Sequence, residues 1–343
     1  MIGNLLEVNH LNVVFKTHGG EVKAVRDVSF QVDRGDIVAI VGESGSGKSV
    51  TVKTIAGLMS ASNAEIRDGN VLFDGEDLLQ MSDKELRKVK GSKMSMVFQD
   101  SMTSLNPTMK IGKQIEESIK EHTNLPKNKR KEQVITILKK VGIPNPELRA
   151  EQYPHEFSGG MRQRVMIAIA LACNPELVIA DEPTTALDVT IQAQILELLK
   201  DLQANFDTSI ILITHDLGVV AETAEKVIVM YAGMMVEKAP VDQIFKHPSH
   251  PYTEGLIKSM PDISTDKNER LIPIDGSPPD LFFPPKGCPF VDRCEYAMEV
   301  CEQHIPPEFK VRSNHYSRCW LHDERAGVNH LRASKVGEET DGK

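Results

Sequence analysis

A chain of 343 residues, 40% hydrophobic and 26% charged, is ordinary globular material long enough for about two domains. Its formal net charge of −9 argues against a protein that coats nucleic acid, so no nucleic-acid partner is expected. No stretch approaches the ~18 apolar residues of a membrane span, and Met1–Asn9 lacks the basic-then-apolar pattern of a secretion signal.

Leu5–Lys16 and Val22–Val32 alternate loosely between apolar and polar residues, which predicts antiparallel strands with one wet face around the turn Thr17-His18-Gly19-Gly20. Phe15 ends the first strand; it is placed either to stack on an adenine base or to pack the sheet. The apolar run Asp36–Val41 leads into Gly42, Glu43, Ser44, Gly45, Ser46, Gly47, Lys48 and Ser49, and Val50 opens a predicted helix to Met59. Strand, glycine-rich turn and helix with the spacing G-x-x-x-x-G-K-[ST] make a nucleotide phosphate-binding loop. Glycines let successive N–H groups curl inward, and the helix N-terminus adds partial positive charge. Lys48 then reaches the β- and γ-phosphates, while the Ser49 hydroxyl coordinates Mg²⁺.

A short strand is predicted at Asn70–Phe73, a charged helix at Ser82–Val89 and a strand at Lys93–Phe98 that ends on Gln99. From about 101 to 157 the apolar residues of Ile111–Ile119 and Val134–Val141 recur at helical spacing, predicting a helical insertion. Phe157-Ser158-Gly159-Gly160-Met161 opens a further helix to Cys173, with Ser158 as N-cap and two glycines for close ligand approach. Leu177–Ala180 is an apolar strand ending in Asp181 and Glu182, the Walker-B pattern: Asp181 to hold Mg²⁺, Glu182 to polarise water. Thr185–Asp188 precedes the helix Val189–Phe206. His215 closes the buried strand Ile210–Thr214, where it can sense a γ-phosphate. Strands Lys226–Tyr231 and Met234–Lys238 and two short helices complete the body. A proline-rich extended segment follows from Pro261.

These motifs, in this order over residues 5 to 240, resemble the ATP-binding subunit of ABC transporters. The phrase Gln99–Pro107, the run His250-Pro251-Tyr252-Thr253, Phe15 in place of Tyr and the signature F-S-G-G-M are similar to the oligopeptide/dipeptide importer branch, which also serves nickel and some oligosaccharides. The implied fold is α/β: a P-loop NTPase core of ABC type with an antiparallel β-subdomain, a helical subdomain at about 101–157 and a C-terminal cysteine-containing extension. The implied division is an ATP-binding domain at 1–260, the extension at 261–325 and a disordered tail at 326–343. The implied function is ATP hydrolysis driving peptide import, with Glu182, His215 and Gln99 catalytic and Ser49, Gln99 and Asp181 around Mg²⁺. The implied partners are two transmembrane permeases, a second, non-identical ATPase subunit and an extracytoplasmic substrate-binding protein, at the cytoplasmic face of the membrane. Two anion-binding helix starts suit a head-to-tail dimer in which Ser158, Gly159 and Gly160 of one subunit meet the γ-phosphate on Lys48 and Ser49 of the other. Soluble ABC ATPases share the motifs, but the insertion is too short for long coiled coils and only one phosphate loop is present.

Four of the five cysteines, Cys288, Cys294, Cys301 and Cys319, fall together. The resemblance implies that they hold a 4Fe–4S cluster, with zinc as the alternative. Zinc sites commonly include a pair two to four residues apart, and no such pair occurs. A cubane accepts ligands from separate loops.

Overall fold

Residues 3–59, 63–99, 104–185, 187–206, 208–260 and 273–326 are described by the computed structural model of the chain. The expectations for 100–103, Ala186, 261–272 and 327–343 lie outside the described residues. The strands run β1 (Asn4–Thr17), β2 (Gly20–Asp33), β3 (Ile37–Val41), β4 (Ala64–Phe73), β5 (Glu76–Asp77) and β6 (Met94–Val97). After the helical insertion come β7 (Leu177–Asp181), β8 (Ser209–Ile213), β9 (Lys226–Tyr231), β10 (Met234–Pro240), β11 (Phe309–Arg312) and β12 (His315–Ser317).

They form two sheets, one ordered β2-β1-β4-β5 and one ordered β11-β12-β10-β9-β3-β8-β7-β6. Every residue of β3, β7 and β8 is buried, because a parallel strand covered on both faces has no wet side to alternate with. The strand period of two still sorts them. Val38 and Ile40 face the core shared with the antiparallel sheet, whereas Ile37, Ala39 and Val41 face the helices of the opposite layer. β4 starts six residues before the predicted strand, since Glu65, Arg67 and Asp68 hide its alternation. At Gly69 (φ +98°) a Cβ would lie 2.6 Å from the Asn9 and His10 carbonyl oxygens, so β4 crosses the irregular middle of β1 only with glycine there.

The helical insertion forms as its periodicity predicts. Ile111, Ile115 and Ile119 of the helix Ile111–His122 are fully buried at i, i+4 and i+8. They join a cluster with Val134, Ile137 and Leu138 of the helix Lys127–Lys140. Buried Gln114 donates to the carbonyls of Asn106 (3.0 Å) and Met109 (2.8 Å), fixing the loop that enters the insertion. No helix among the described residues is long and apolar enough to cross a membrane.

The C-terminal segment is built into the main sheet. β12 pairs with β10 in antiparallel register, and residues 273–289, which form neither helix nor strand, are tied to β2 by Lys23 N–H donating to the Leu281 carbonyl (2.9 Å). The seam holds a pair with no exposure on either side chain, His315 Nε2 to Glu237 Oε1 at 2.7 Å. Glu237 also accepts from the N–H groups of Ser249 (2.7 Å) and His250 (2.9 Å). Because breaking one side of a buried polar pair leaves the other uncompensated, His315→Leu is expected to lower the unfolding free energy by about 3 kcal/mol in denaturant titration. A loss well below about 1 kcal/mol would show that the seam does not depend on the pair.

Candidate nucleotide site

The carboxyl ends of β3, β7 and β8 bring together residues far apart in sequence, the edge at which open α/β sheets bind ligands. After β3 the chain turns through Gly42–Gly47 into the helix Lys48–Ile55. Gly47 has φ +98°, and a Cβ there would lie 2.5 Å from the Ala24 carbonyl, so the loop closes against β2 only with glycine. Ser46 and Lys48 are buried, whereas Ser44 and Gly45 are exposed. The Lys48 ammonium donates to the carbonyls of Gly42 (2.8 Å) and Glu43 (3.0 Å) from inside the curl. Burial pulls its pKa down, while Glu182, Asp181 and Glu43 oppose that pull.

The Ser49 hydroxyl donates to Asp181 Oδ1 at 2.9 Å, joining the helix start after β3 to the end of β7. Asp181 is buried, and burial raises its pKa; the Ser49 hydrogen bond and the charges of Lys53 and Lys48 act against the rise, and neighbouring Glu182 adds to it. Adjacent hard oxygens, one hydroxyl and one carboxylate, are the donor set that suits Mg²⁺.

Glu182 has φ +48°, a left-handed backbone unusual for a glutamate, held by its N–H donating to the Ile213 carbonyl at 3.0 Å. The twist sends its carboxylate to three partners. The Gln99 amide donates to Oε2 at 2.8 Å, the Thr185 hydroxyl to the same oxygen at 2.9 Å, and His215 Nδ1 lies 3.6 Å from Oε1. Gln99 therefore sits on Glu182 and not on the Ser49–Asp181 pair where it was expected as a magnesium ligand. The His215 side chain is two-thirds exposed.

Ser158, Gly159 and Gly160 do not join this group. Ser158 caps the helix Gly159–Ala170 through Met161 N–H (3.4 Å), and Ser158 and Gly159 are exposed. Gly160 allows close packing, since a Cβ there would lie 2.6 Å from Ile191. Val50 is half-buried on the first helix. Phe15 is half-buried on β1, between Val22 of β2 and Ala64 of β4.

The expected cluster ligands Cys288, Cys294, Cys301 and Cys319 are only partly gathered. Among the described residues no group of three or more His, Cys, Asp or Glu side chains is gathered to hold a metal. The backbone does bring part of the set together, with Cys288 N–H donating to the Cys301 carbonyl at 2.7 Å. Burial pushes the Cys288 thiol up to about 12 and raises Cys294, and Cys301 adds to both shifts. No disulfide joins the five cysteines.

Sequence reasoning did not anticipate the surroundings of Glu43, whose N–H donates to the Tyr252 hydroxyl (2.8 Å) and whose carboxylate holds Arg293. Such pairs join residues more than two hundred positions apart and leave no local pattern.

Residues 25–185 match the family described as ABC transporter, and residues 236–301 match the one described as oligopeptide/dipeptide transporter, C-terminal region. The chain is 57% identical over 320 residues to the oligopeptide transport ATP-binding protein OppD of Bacillus subtilis (strain 168), covering 93% of this chain and 89% of that protein. It is 53% identical over 322 residues to the dipeptide transport ATP-binding protein DppD of the same organism, covering 94% and 96%. A solved dimeric ATP-binding cassette in a post-hydrolysis state, bound to ADP and Pi, aligns with a TM-score of 0.62 at 28% identity, over 69% of this chain and 98% of that one.

The Asp181 shift has a testable sign. A carboxyl whose native pKa is raised carries its penalty in full above that value and loses it below the ordinary one. Asp181→Asn is therefore expected to stabilise the fold at pH 7 while removing magnesium-dependent nucleotide binding. Thermal melting and nucleotide titration read the two effects, and an unchanged magnesium dependence would remove Asp181 from the metal site.

Proposed function

The chain belongs to the ABC transporter family, and from that premise we propose that it is the ATP-hydrolysing subunit of an importer of peptides, with the following division of work. The observation that supports the reading is the 2.9 Å bond between Ser49 and Asp181, which joins the start of the helix after β3 to the end of β7. Gly42–Val50 cradle the phosphates through backbone N–H groups, with Lys48 as their charge partner. Mg²⁺, held by Ser49 and Asp181, would neutralise charge on the phosphates.

Glu182 is the group that orients and polarises the attacking water. Its left-handed backbone and its contacts with Gln99, Thr185 and His215 hold the carboxylate in place before nucleotide arrives. Gln99 leaves β6 for the helical insertion, so what Glu182 contacts is transmitted there. Phe15 serves as the adenine platform. The helix start Ser158–Gly160, exposed at Ser158 and Gly159, acts in trans, completing the site of a second, non-identical ATPase subunit in a head-to-tail dimer.

Two permeases dock on the face where Leu58 and Phe98 are 42% and 38% exposed. There a groove of about 200 Å³ is lined by Met94, Met96, Ser118 and Ile169 together with those two. Phe98 of that lining directly precedes Gln99 in the chain, which supports a path from the permeases to the water-orienting carboxylate. The subunit sits at the cytoplasmic face of the membrane, with an extracytoplasmic binding protein delivering peptide.

Glu182→Gln should retain ATP binding and lower turnover by about 100-fold or more, because the amide cannot take up the proton of water. In the assembled transporter Ser158→Arg should disable the partner's site while leaving this chain's own nucleotide binding intact. ATPase rates and nucleotide titrations measure both, and normal turnover by Glu182→Gln would dismiss the base assignment.

For Cys288, Cys294, Cys301 and Cys319 we propose a 4Fe–4S cluster ahead of zinc. The support is donor chemistry and spacing, and the described geometry offers no ready ligand set. Its role would be to staple an extension with little core of its own. Anaerobically purified protein should be brown, with roughly four irons and four sulfides per chain. Colourless protein carrying zinc, or no metal, would overturn this.

A further inference from the structure

Glu43, the second residue of the phosphate loop, is a carboxylate placed beside a site built for phosphate anions. Like charges at close range repel, most strongly where water is scarce. An acid there needs an answering cation. The answer comes from the far end of the chain. Arg293, whose side chain is 5% exposed, makes a two-pronged pair with Glu43: Nη1 to Oε2 at 2.7 Å and Nη2 to Oε1 at 3.0 Å.

The guanidinium has little freedom to do anything else. Its Nε donates to the Asp275 carbonyl (2.8 Å), Nη2 to the Ile274 carbonyl (3.0 Å) and Nη1 to the Tyr231 hydroxyl (3.1 Å). Its head lies 5.6 Å from the Tyr231 ring centre and 5.8 Å from that of Phe290. Those rings pack with Tyr252, whose hydroxyl accepts from Glu43 N–H. The Glu43 carboxylate, N–H and carbonyl are thus held by Arg293, Tyr252 and Lys48 respectively.

Arg293 directly precedes Cys294. The same arrangement occurs at the other end of the cysteine segment, where Arg318, directly before Cys319, donates to the Asp27 carboxylate at 2.8 Å and to the Asp27 carbonyl at 3.2 Å. Asp27 lies on β2, three residues from the Ala24 carbonyl against which Gly47 closes. Arg293 thus grips the phosphate loop itself, and Arg318 the strand against which that loop closes.

We propose that Arg293 is a positioning residue through which the C-terminal segment sets nucleotide affinity: it cancels the Glu43 charge and holds that carboxylate away from the phosphates. The proposal rests on the assignment of Gly42–Val50 as the ATP site, so Lys48→Ala serves as the control. The test uses the full chain and titration with a fluorescent ATP analogue, together with steady-state ATPase of the assembled transporter.

Arg293→Gln should weaken ATP binding roughly tenfold, as loss of a charge-assisted two-pronged pair implies. The change should fall on KM, with kcat at saturating ATP within about twofold, since Arg293 touches neither the attacking water nor Glu182. Adding Glu43→Gln to Arg293→Gln should recover most of the lost affinity, because the uncancelled charge is then gone. A merely structural role for Arg293 predicts no such recovery. Wild-type affinity in Arg293→Gln, or no recovery in the double variant, overturns the proposal. If Arg293→Gln does not fold, Arg293→Lys replaces it; that variant keeps the charge and loses the fork, and should bind ATP about threefold more weakly, unchanged binding being the overturning result. Should Lys48→Ala retain full binding, the site assignment itself fails. Should only Lys48→Ala lose it, the assignment stands and the role of Arg293 falls.

Discussion

Asp181 is a carboxylate kept in a nearly water-free strand end, and the surrounding architecture answers to that charge. Burial works against its ionised form, and only nearby donors and cations make the form tenable. The donor is Ser49, one residue after the buried Lys48, both placed by a loop that closes only with glycines. The three groups meet because β3 and β7 run parallel on either side of β8, their ends level. A sheet of another order would leave the acid stranded. The same strand end then turns left-handed at Glu182, where local backbone strain aims a second carboxylate at Gln99, Thr185 and His215. Two adjacent acids thereby take different tasks from different surroundings.

Most of this was legible in the sequence, and the reason is physical. Phosphate loops, apolar strands ending in acids and capped glycine-rich helix starts are local patterns, each imposed by backbone geometry over a few residues. The helical insertion was legible because Ile111, Ile115 and Ile119 keep a strict four-residue step. The first half of β4 was not, because polar residues on an exposed strand carry no alternation. Glu182's contact with Gln99 was hidden as well: both residues were singled out, but an amide next to a magnesium site gives no hint that it will prefer the neighbouring carboxylate. The ties of Glu43, Asp27 and Glu237 to the C-terminal segment were out of reach for another reason. Each joins positions dozens to hundreds of residues apart, and a single sequence holds no trace of which charge meets which.

The cysteine segment shows the limit from the other side. Clustering of four thiols in sequence suggests a shared ligand, yet the described side chains are not gathered as a ligand set. What holds the segment down in this structure is hydrogen bonding and aromatic packing: Phe290 among Tyr231 and Tyr252, the two-pronged Arg293–Glu43 pair and the Arg318–Asp27 pair. These contacts tie the segment to the core.

The strand order carries one more consequence, for the order in which the chain is made. β12 covers the open side of β10, and beyond it the outermost strand, β11, is four residues long with Lys310 and Arg312 exposed, a short, charged border that discourages pairing with other chains. During synthesis that border arrives late. Glu237 emerges 78 residues before the histidine that answers it, and until then β10 offers a bare row of peptide groups with an acid beside it. A nascent or C-terminally shortened chain would thus carry every nucleotide-binding motif and still present a sticky flank, so the last strands act as the molecule's own guard against wrong partners.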